Sequence, residues 1–442
     1  MKRQFTRRSF LQLAGASGAG LTLGLGGCAT GGQDGTGRAE GRVVVVGGGP
    51  GGATTARYLK HHAPELKVTL IEPNEAYDTC FAGNWYLGGF RELHTLRHGY
   101  QTLQEAYGVE VVHDRAQELD LDGHQVRTAG SGSIAYDRLV VAPGIAFDWE
   151  AVEGMDGGDT IPIPHAWHGG AQYAVLRGQI EAMEDGGTVM ICPPGNPYRC
   201  PPGPYERASL VAHYLKLHKP SSKILILDNK DAFSKQGLFE EGWAELYGDM
   251  IEWVPAAEGG RLDHVSVGDR KVFTEAGFQE HQGDVINLIP PQKAGAIAQR
   301  AELTDSSGWC PVDQQDFRST RHDDVFVVGD AAIAGDMPKS GHSANNQAKR
   351  VAATIVTELS GGSVPEYPMV NTCYSLIGPE WGVTVAAVYE YQDGAMRSVE
   401  GAGGLSPEDA SRSVRAREAS YAPGWYASIT QDIFGSAEEG RG

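Results

Sequence analysis

Cysteines have the clearest capacity for redox chemistry in this chain. Of six cysteines, Cys28 lies in an N-terminal segment that we expect to be removed or modified. The other five are Cys80, Cys192, Cys200, Cys310 and Cys373. Since five is odd, at least one must be free or bonded to something other than cysteine. A disulfide between Cys200 and Cys373 would be either a structural staple or a route for electrons, and the spacing alone does not assign the pair.

A glycine-rich stretch predicts a site for a dinucleotide. Residues 42–60 read RVVVVGGGPGGATTARYLK, a run of β-branched residues followed by glycines and a helical pattern. Gly47, Gly49 and Gly52 form G-x-G-x-x-G, with Pro50 among them. These glycines allow a tight turn, a close approach of the backbone to a diphosphate, and close packing of helix on strand. The first N–H groups of the helix are expected to bind that diphosphate.

Two further segments indicate that the dinucleotide is FAD. The strand predicted at residues 67–71 is followed by Glu72, which is placed to accept a hydrogen bond from a ribose hydroxyl. Residues 323–330 read DDVFVVGD, a late strand ending in Gly329 and Asp330. This is the second FAD signature of two-domain flavin reductases, whose aspartate holds the ribitol. Two fingerprints in this order favour FAD over NAD at the first site.

Three residues are candidates for contact with the flavin or its surroundings. Residues 338–343, PKSGHS, are predicted to open an amphipathic helix that continues through Leu359. Lys339 in this stretch either stabilises negative charge on the reduced ring or is a solvated surface lysine. Cys80, in PNEAYDTCFAGN, is either a small buried residue or a covalent attachment point for the flavin. Gly144 ends YDRLVVAPG, a strand and turn of the kind that crosses to a second nucleotide domain.

That second unit lacks a nucleotide fingerprint. Its strands are expected at residues 187–191 and 223–227, with Asp228 after the second. Between them the chain reads CPPGNPYRCPPGPYERAS, with prolines around Cys200 and no G-x-G-x-x-G. Proline has no N–H to donate to a phosphate. We therefore expect that electrons are not exchanged with NAD(P)H.

The N-terminal residues predict export to the periplasm. TRRSFL at residues 6–11, followed by a Gly/Ala/Leu-rich stretch, is typical of a twin-arginine signal, which we place at residues 1–31. LGGC, ending at Cys28, also resembles a lipoprotein box that would tether the chain to a membrane. Cleavage after Ala29 is the alternative. Disulfides persist in that oxidising compartment.

The composition limits the partners. A net charge of −19 over 442 residues argues against nucleic acid, which requires a basic surface. The charge suits a basic partner or simply aids solubility. No C-x-x-C-H and no zinc-like His/Cys spacing occurs, so we expect no c-type haem and no metal on this chain.

Nine motifs, taken together and in order, resemble one known family. They are GGGPGGATTARYL, EPNEAYDTC, YDRLVVAPG, RCPPGPYERAS, DVINLIPPQ, GWCPVD, VVGDA, MPKSGHSANNQ and NTCYS. From about Gly41 into the last thirty residues, the chain is similar to the flavoprotein subunit of flavocytochrome c sulfide dehydrogenases. The specific part is RCPPGPYERAS together with NTCYS. Cys192 and Cys310 carry no role over from the family and are interpreted as structural.

The resemblance implies oxidation of sulfide by a disulfide and a flavin. It implies FAD thioether-linked at Cys80, a redox-active Cys200–Cys373 disulfide, and a partner cytochrome c subunit that alone carries haem. Hydrosulfide is a soft nucleophile suited to attack on that disulfide. Glu206 is a candidate proton acceptor, or it merely complements a helix dipole. Trp425 is expected to cover the flavin, contact the partner or belong to the core.

The expected fold class is α/β, with two Rossmann-like doubly wound domains of the glutathione-reductase type and a smaller C-terminal domain. The FAD-binding domain is placed at residues 41–150 and 291–364, and the second Rossmann-like domain at 151–290. Residues 365–442 are expected to cover the flavin or form an interface.

Two other functions stay open. A sulfide:quinone oxidoreductase shares the fold and the use of a redox-active disulfide. Such an enzyme should reach the membrane through an apolar surface or an amphipathic helix. The tail GLSPEDASRSVRAREASYAPGW lacks a strong apolar face, which disfavours that function. A non-catalytic flavin carrier or sulfur-binding scaffold is disfavoured by the presence of both Cys200 and Cys373.

Overall fold

The computed structural model describes residues 39–364 and 366–435. The predicted signal and Cys28 therefore lie outside the described residues. Within the described ranges, no helix combines the length and the apolar character needed to cross a membrane.

The strands, in chain order, are β1 (Arg42–Val46), β2 (Lys67–Ile71), β3 (Ala76–Asp78), β4 (Arg97–Gly99), β5 (Glu110–Val112), β6 (Ala116–Asp120), β7 (Gln125–Thr128), β8 (Ser133–Ala135), β9 (Arg138–Val141), β10 (Ile145–Phe147), β11 (Thr188–Cys192), β12 (Lys223–Leu227), β13 (Ile251–Val254), β14 (Leu262–Ser266), β15 (Lys271–Thr274), β16 (Gln279–Gln282), β17 (Val285–Leu288), β18 (Gln292–Ala294), β19 (Val325–Val327), β20 (Met369–Gly378), β21 (Trp381–Gln392), β22 (Ala395–Ser398) and β23 (Gly404–Leu405). The helices are α1 (Pro50–His62), α2 (Gly83–Leu87), α3 (Gln101–Glu105), α4 (Ala171–Ala182), α5 (Gly203–His218), α6 (Gln236–Tyr247), α7 (Ala296–Arg300), α8 (Gly341–Ser360) and α9 (Arg412–Phe434).

Two parallel sheets form the framework. The first has the strand order β19-β9-β1-β2-β5, and the second has the order β13-β12-β11-β17. Neighbouring strands run parallel throughout both sheets. Residues 43–46 of β1 are at most 5% exposed, because a parallel sheet is covered on both faces and its strands are continuous apolar runs.

The chain leaves the first sheet after β9, builds the second sheet, and returns to the first with β19. The predicted fold class, two doubly wound units and a smaller C-terminal part, is confirmed. The domain limits given above remain predictions. The strands foreseen at residues 67–71 and 223–227 have the predicted bounds. The helix foreseen from Pro338 begins three residues later, where the Ser340 side chain accepts a hydrogen bond from the N–H of Ser343.

The C-terminal part is an antiparallel sheet of β20, β21, β22 and β23, against which α9 packs. The 23 residues of α9 form a helix although Pro423 lies inside it, and the polar sequence gave little sign of it. Ala422, Tyr426 and Phe434 are fully buried against the rest of the chain. Tertiary packing, rather than helix propensity, therefore stabilises this helix.

Candidate functional site

One cavity brings together the three cysteines for which the sequence suggested chemistry. Cys80 comes from the loop before α2, Cys200 from the loop before α5, and Cys373 from the middle of β20. All three side chains are partly buried thiols in this structure. The other residues that line the cavity are Phe81, Asn84, Trp167, Tyr173, Arg199, Gly203, Ser340, Gly341, His342, Thr372 and Trp425. The cavity is therefore built from both Rossmann-like units and the C-terminal part.

The backbone around Cys200 is held in a special conformation. Cys200 has φ +60°, and its N–H donates to the carbonyl of Lys339 at 2.8 Å. Its own carbonyl accepts from the N–H of Gly203 at 2.8 Å, and a Cβ on Gly203 would lie 3.0 Å from the Cys200 sulfur. Burial, together with the neighbouring Cys373 and Glu206, raises the pKa of the Cys200 thiol well above its ordinary value.

Cys373 has a cation beside it that sequence reasoning missed. The Lys235 ammonium lies 3.9 Å from the Cys373 sulfur and donates to the Cys373 carbonyl at 3.2 Å and to the Ser375 hydroxyl at 2.9 Å. Lys235 is only 4% exposed and precedes α6 with φ +64°. Its positive charge stabilises negative charge on the Cys373 sulfur. Nothing in the sequence links Lys235 to NTCYS, because the two segments meet only in the fold.

Glu206 lies behind Cys200, in the first turn of α5, and is not one of the residues that line the cavity. Its carboxylate accepts hydrogen bonds from Asn84 Nδ2 at 2.9 Å, Trp85 Nε1 at 3.2 Å and the Leu376 N–H at 2.9 Å. Burial raises the pKa of Glu206, although these donors oppose the shift. The carboxylate thus connects α5 to α2 and to the strand that carries Cys373, and its role as a proton acceptor stays a prediction.

The glycine motif forms a cradle with the geometry that a diphosphate requires. Gly47 has φ +101°, and a Cβ there would lie 2.3 Å from the Ala142 carbonyl. A Cβ on Gly52 would lie 1.8 Å from the Gly47 carbonyl, so the helix packs on the strand only with glycine at this position. Gly49 precedes α1, and Pro50 is its first residue; no described side chain caps that helix start. Its first N–H groups therefore point to an external acceptor.

The two acidic residues of the FAD signatures, Glu72 and Asp330, differ in their hydrogen bonding. Glu72 accepts from the N–H of Gly48 at 2.9 Å and from the N–H and side-chain amide of Asn74 at 3.0 and 2.7 Å. It thereby fixes the glycine turn, while contact with a ribose stays a prediction. Asp330, after Gly329, is different, because its buried Oδ1 has no hydrogen-bond partner among the described residues. An oxygen of this kind fits a ribitol hydroxyl.

Lys339 is held by the turn that carries this aspartate. Its ammonium donates to the carbonyls of Asp330 at 2.6 Å and Ala332 at 3.0 Å, and it lies 3.7 Å from the centre of the Trp309 ring. Burial lowers the pKa of Lys339 to about 8. Lys339 is thus a buried structural cation in this structure, not a solvated one, and its contact with a flavin stays a prediction.

Arg199 is the cation that does line the thiol cavity, and the sequence analysis did not single it out. Its guanidinium donates to the Trp167 carbonyl and lies 3.9 Å from an Asp330 oxygen. Its position next to Cys200 in RCPP was the available signal. Trp425, which also lines this cavity, lies 6.3 Å from His342, ring centre to ring centre, with the rings nearly perpendicular.

Asp228, the acidic residue that follows β12 of the second parallel sheet, belongs to a buried hydrogen-bond network. Asp228 is fully buried and accepts hydrogen bonds from the hydroxyl of Tyr205, Trp253 Nε1 at 3.0 Å and Lys230 Nζ at 2.6 Å. This is where a nicotinamide-binding domain would offer a carboxylate to a ribose. That this unit binds no NAD(P)H stays a prediction.

The remaining positions named from the sequence, Gly144, Cys192 and Cys310, have surroundings typical of structural residues. Gly144 has φ +62° in the turn between β9 and β10, a conformation that favours glycine. Cys192 and Cys310 are at most 1% exposed, and burial raises the pKa of each thiol to about 12. Both therefore remain inert thiols under ordinary conditions.

The fold and site together define a flavoprotein oxidoreductase with two Rossmann-like units and a thiol pair in its cavity. Three family models match the chain. They are pyridine nucleotide-disulphide oxidoreductase at residues 41–165, the central part of the sulfide dehydrogenase [flavocytochrome c] flavoprotein chain at 173–290, and the flavin-binding part of flavocytochrome c sulphide dehydrogenase at 365–434.

Curated relatives agree with these models. The chain is 62% identical to the flavocytochrome c sulfide dehydrogenase flavoprotein chain of Chlorobaculum thiosulfatiphilum over 39 residues, which is 9% of this chain and 81% of that sequence. It is 25% identical to the mitochondrial sulfide:quinone oxidoreductase of Mus musculus over 73% of this chain and 71% of that one. The chain belongs to the family of flavocytochrome c sulfide dehydrogenase flavoprotein chains, and it binds FAD.

Solved structures show the same fold. The sulfide:quinone oxidoreductase of Aquifex aeolicus has a TM-score of 0.69 at 18% identity, with 89% of this chain and 92% of that chain covered. The covalent putidaredoxin reductase–putidaredoxin complex contains a chain with a TM-score of 0.61 at 15% identity, over 90% and 99% of the two chains.

Proposed function

We propose that this flavoprotein oxidises sulfide at a Cys200–Cys373 disulfide and passes the electrons through FAD to a cytochrome c subunit. The observation that carries the proposal is the convergence of both thiols and Cys80 on one cavity, although the three lie in distant parts of the sequence.

The disulfide form of the pair is the reactive one. Hydrosulfide attacks one sulfur, the S–S bond breaks, and the attacked cysteine becomes a persulfide while the other leaves as a thiolate. Re-forming the disulfide releases sulfur at the zero oxidation level and frees one proton and two electrons. Lys235 beside Cys373 stabilises the thiolate state at that sulfur. Apolar and aromatic walls, including Phe81 and Trp425, limit access of water to the sulfurs.

Bound FAD would supply an acceptor for the electron pair and would allow the electrons to leave singly. The cradle around Gly47 and Gly52 would hold its diphosphate, and Asp330 its ribitol. Cys80 would form the thioether link. The covalent link is supported by the place of Cys80 in the cavity that Cys200 and Cys373 also line.

A cytochrome c subunit is proposed as the electron acceptor because the family is that of flavocytochrome c chains. Haem would then be carried by that partner alone. A quinone acceptor is the second candidate, because a sulfide:quinone oxidoreductase matches over most of its length. Most apolar residues of α9 are buried within this chain, although Tyr421 is exposed, so the helix presents no continuous apolar face outward, which favours cytochrome c.

Export by the twin-arginine route to the periplasm is proposed from residues 1–31, with lipid attachment at Cys28 as an open alternative. Mass spectrometry of the mature N-terminus, from cells grown with and without an inhibitor of lipoprotein processing, separates an acylated Cys28 from cleavage after Ala29.

The deciding experiment is anaerobic addition of sulfide to the FAD-loaded protein while flavin absorbance is recorded. We expect bleaching that cytochrome c reverses. Reoxidation by a soluble quinone alone would move the assignment to quinone reduction, and no bleaching would reject sulfide as the substrate.

Variants then test the thiol pair. Cys373→Ser and Cys200→Ser should each abolish bleaching by sulfide while dithionite still reduces the flavin. Cys310→Ala, which alters a buried thiol outside the cavity, is the matched control. Undiminished sulfide oxidation by Cys373→Ser would support a flavin or sulfur-binding scaffold instead.

A further inference from the structure

A second cavity adjoins the thiol cavity. It is a groove of about 450 Å³ between α8 and α9, open to solvent and lined by polar side chains. Lys349 of α8 and Asp432 of α9 are among its walls. His342 and Trp425 line both cavities and therefore form the boundary between them. No role in the proposed reaction requires this groove.

Helix periodicity shows how the groove is oriented. On α8, His342, Asn345 and Lys349 are spaced i, i+3 and i+7, so they lie on one face. On α9, Trp425 and Asp432 have the same i, i+7 spacing. Seven residues of α-helix span roughly 10 Å. The groove thus runs two helical turns outward, from the His342 and Trp425 rings to Lys349 and Asp432.

The outer end of the groove carries a positive charge. Asp432 lies 2.5 Å from the Lys349 ammonium and 3.4 Å from the Arg57 guanidinium. Burial works against its charge, but Lys349, Tyr58 and Asn345 donate to its carboxylate and lower its pKa. Two cations share one ionised carboxylate, which leaves a net charge of about +1 at this end.

The inner end is an uncharged aromatic boundary. The rings of His342 and Trp425 meet edge to face, and the Thr372 N–H donates to His342 Nδ1 at 2.8 Å. Burial lowers the pKa of His342 to about 4, so this ring is neutral at neutral pH. Thr372 precedes Cys373, which places the boundary next to the reactive thiol.

We propose that this groove is the path by which hydrosulfide and other small inorganic anions reach Cys200 and Cys373. The inference rests on the proposed function for its substrate, but the geometry concerns any small anion. A chain of net charge −19 repels an anion in general, so a cationic groove that ends at the His342 and Trp425 boundary of the thiol cavity raises the local anion concentration there. Lys349 and Arg57 supply that charge.

The test compares alkylation of the thiols by a charged and a neutral reagent. The purified full-length protein is reduced with dithiothreitol, desalted anaerobically, and treated with iodoacetate or iodoacetamide. Iodoacetate transfers a carboxymethyl group to a thiolate, iodoacetamide transfers a carbamidomethyl group, and each reaction releases iodide. Mass spectrometry gives the two rates at Cys200 and Cys373 separately, and their ratio reports the charge along the path without any need for sulfide or an electron acceptor.

We expect Lys349→Gln to lower the iodoacetate-to-iodoacetamide ratio about two- to fourfold at low salt. Lys349→Arg should keep the wild-type ratio. Lys223→Gln, which removes an exposed lysine at the start of β12, is the matched control and should also keep it. In the wild type, about 0.5 M salt should lower the ratio by a similar factor, which gives a measurement independent of any variant.

An unchanged ratio in Lys349→Gln and in high salt would overturn the proposal. A lowered rate of cytochrome c reduction with an unchanged ratio would also overturn it, and would indicate that the groove binds the partner subunit. Failure of sulfide to bleach the flavin, with the ratio changed as expected, would reject the proposed function and leave the anion path standing.

Discussion

At the scale of single residues, the two cavity thiols have different electrostatic surroundings. Cys200 is a partly buried thiol whose pKa is raised by burial and by the neighbouring Cys373 and Glu206, although Arg199 opposes the shift. Cys373 has the Lys235 ammonium 3.9 Å from its sulfur. The neighbours of the two thiols are therefore asymmetric, with an ammonium group beside the Cys373 sulfur.

Replacement of Lys235 tests this asymmetry. In the reduced protein, Lys235→Met should slow alkylation of Cys373 by iodoacetamide about two- to fourfold at low salt, because the attacking sulfur loses its neighbouring cation. Lys235→Arg should retain most of the rate. The rate at Cys200 in the same sample is the internal comparison. Equal slowing at both cysteines would contradict a local electrostatic effect and indicate a general change of access.

Glu206 gives a second prediction at this scale. Its carboxylate accepts from three N–H donors, whereas a glutamine offers one carbonyl oxygen and places an NH₂ group among them. Glu206→Gln should lower the free energy of unfolding by about 1–3 kcal/mol, measured by urea unfolding. Glu184→Gln, at an exposed position nearby in sequence, should have little effect. Unchanged stability in Glu206→Gln would show that the carboxylate does not hold the network.

The reactive cysteines could be predicted from the sequence, but the residues that contact them in the fold could not. Cys80, Cys200 and Cys373 stand in short motifs that are readable along the chain. Lys235 and His342 act through contacts between segments far apart in sequence, and no spacing rule reports such contacts. Glu72 was expected at a ribose, which stays a prediction, and its hydrogen bonds with Gly48 and Asn74 were not foreseen.

At the scale of elements, the strand–turn–helix unit of β1 and α1 was predictable because each of its features is local. Continuous β-branched residues specify a buried parallel strand, and the glycine positions follow from close backbone contacts. Helix α9 was not predictable in the same way. Its polar residues and Pro423 argue against a helix, and only packing against β20, β21 and α1 stabilises it.

Two glycine-to-alanine substitutions distinguish the effect of close packing from the effect of helix propensity. Gly52→Ala should remove bound FAD and destabilise the protein by about 2–3 kcal/mol, because the new Cβ would lie 1.8 Å from the Gly47 carbonyl. Gly178→Ala, in α4, meets no atom within 4 Å and should stabilise the protein by about 0.5–1 kcal/mol. Flavin content and urea unfolding measure both effects. Full FAD content in Gly52→Ala would contradict the packing argument.

At the scale of the whole molecule, buried histidines make stability depend on pH. His165 is 6% exposed and accepts from the Trp167 N–H through Nδ1; burial, with Arg207 and Arg199 nearby, lowers its pKa to about 3. The unfolded chain therefore binds a proton below pH 6.5 that the folded chain does not bind until about pH 3. Stability is present above the unfolded pKa and is lost as the pH falls below it.

The contribution of His165 to the pH dependence of the unfolding free energy can be measured. Between pH 7 and pH 5, His165 should account for roughly 2 kcal/mol of the loss in unfolding free energy. His165→Asn keeps an acceptor for the Trp167 N–H and removes the titration, so its loss over the same range should be smaller by that amount. Urea unfolding at each pH gives both values. Parallel pH profiles in the two proteins would contradict the assignment to His165.

The return of the chain to the first sheet has a consequence for how the molecule is made. Strands β9 and β19 are neighbours, yet the whole second sheet is synthesised between them. The diphosphate cradle at Gly47 emerges from the ribosome early, whereas Asp330 and the helix beyond it emerge late. FAD is proposed to contact both, so a chain interrupted before β19 would have only half of the proposed cofactor site. Firm retention of flavin is therefore a sign that synthesis of the chain has passed Asp330.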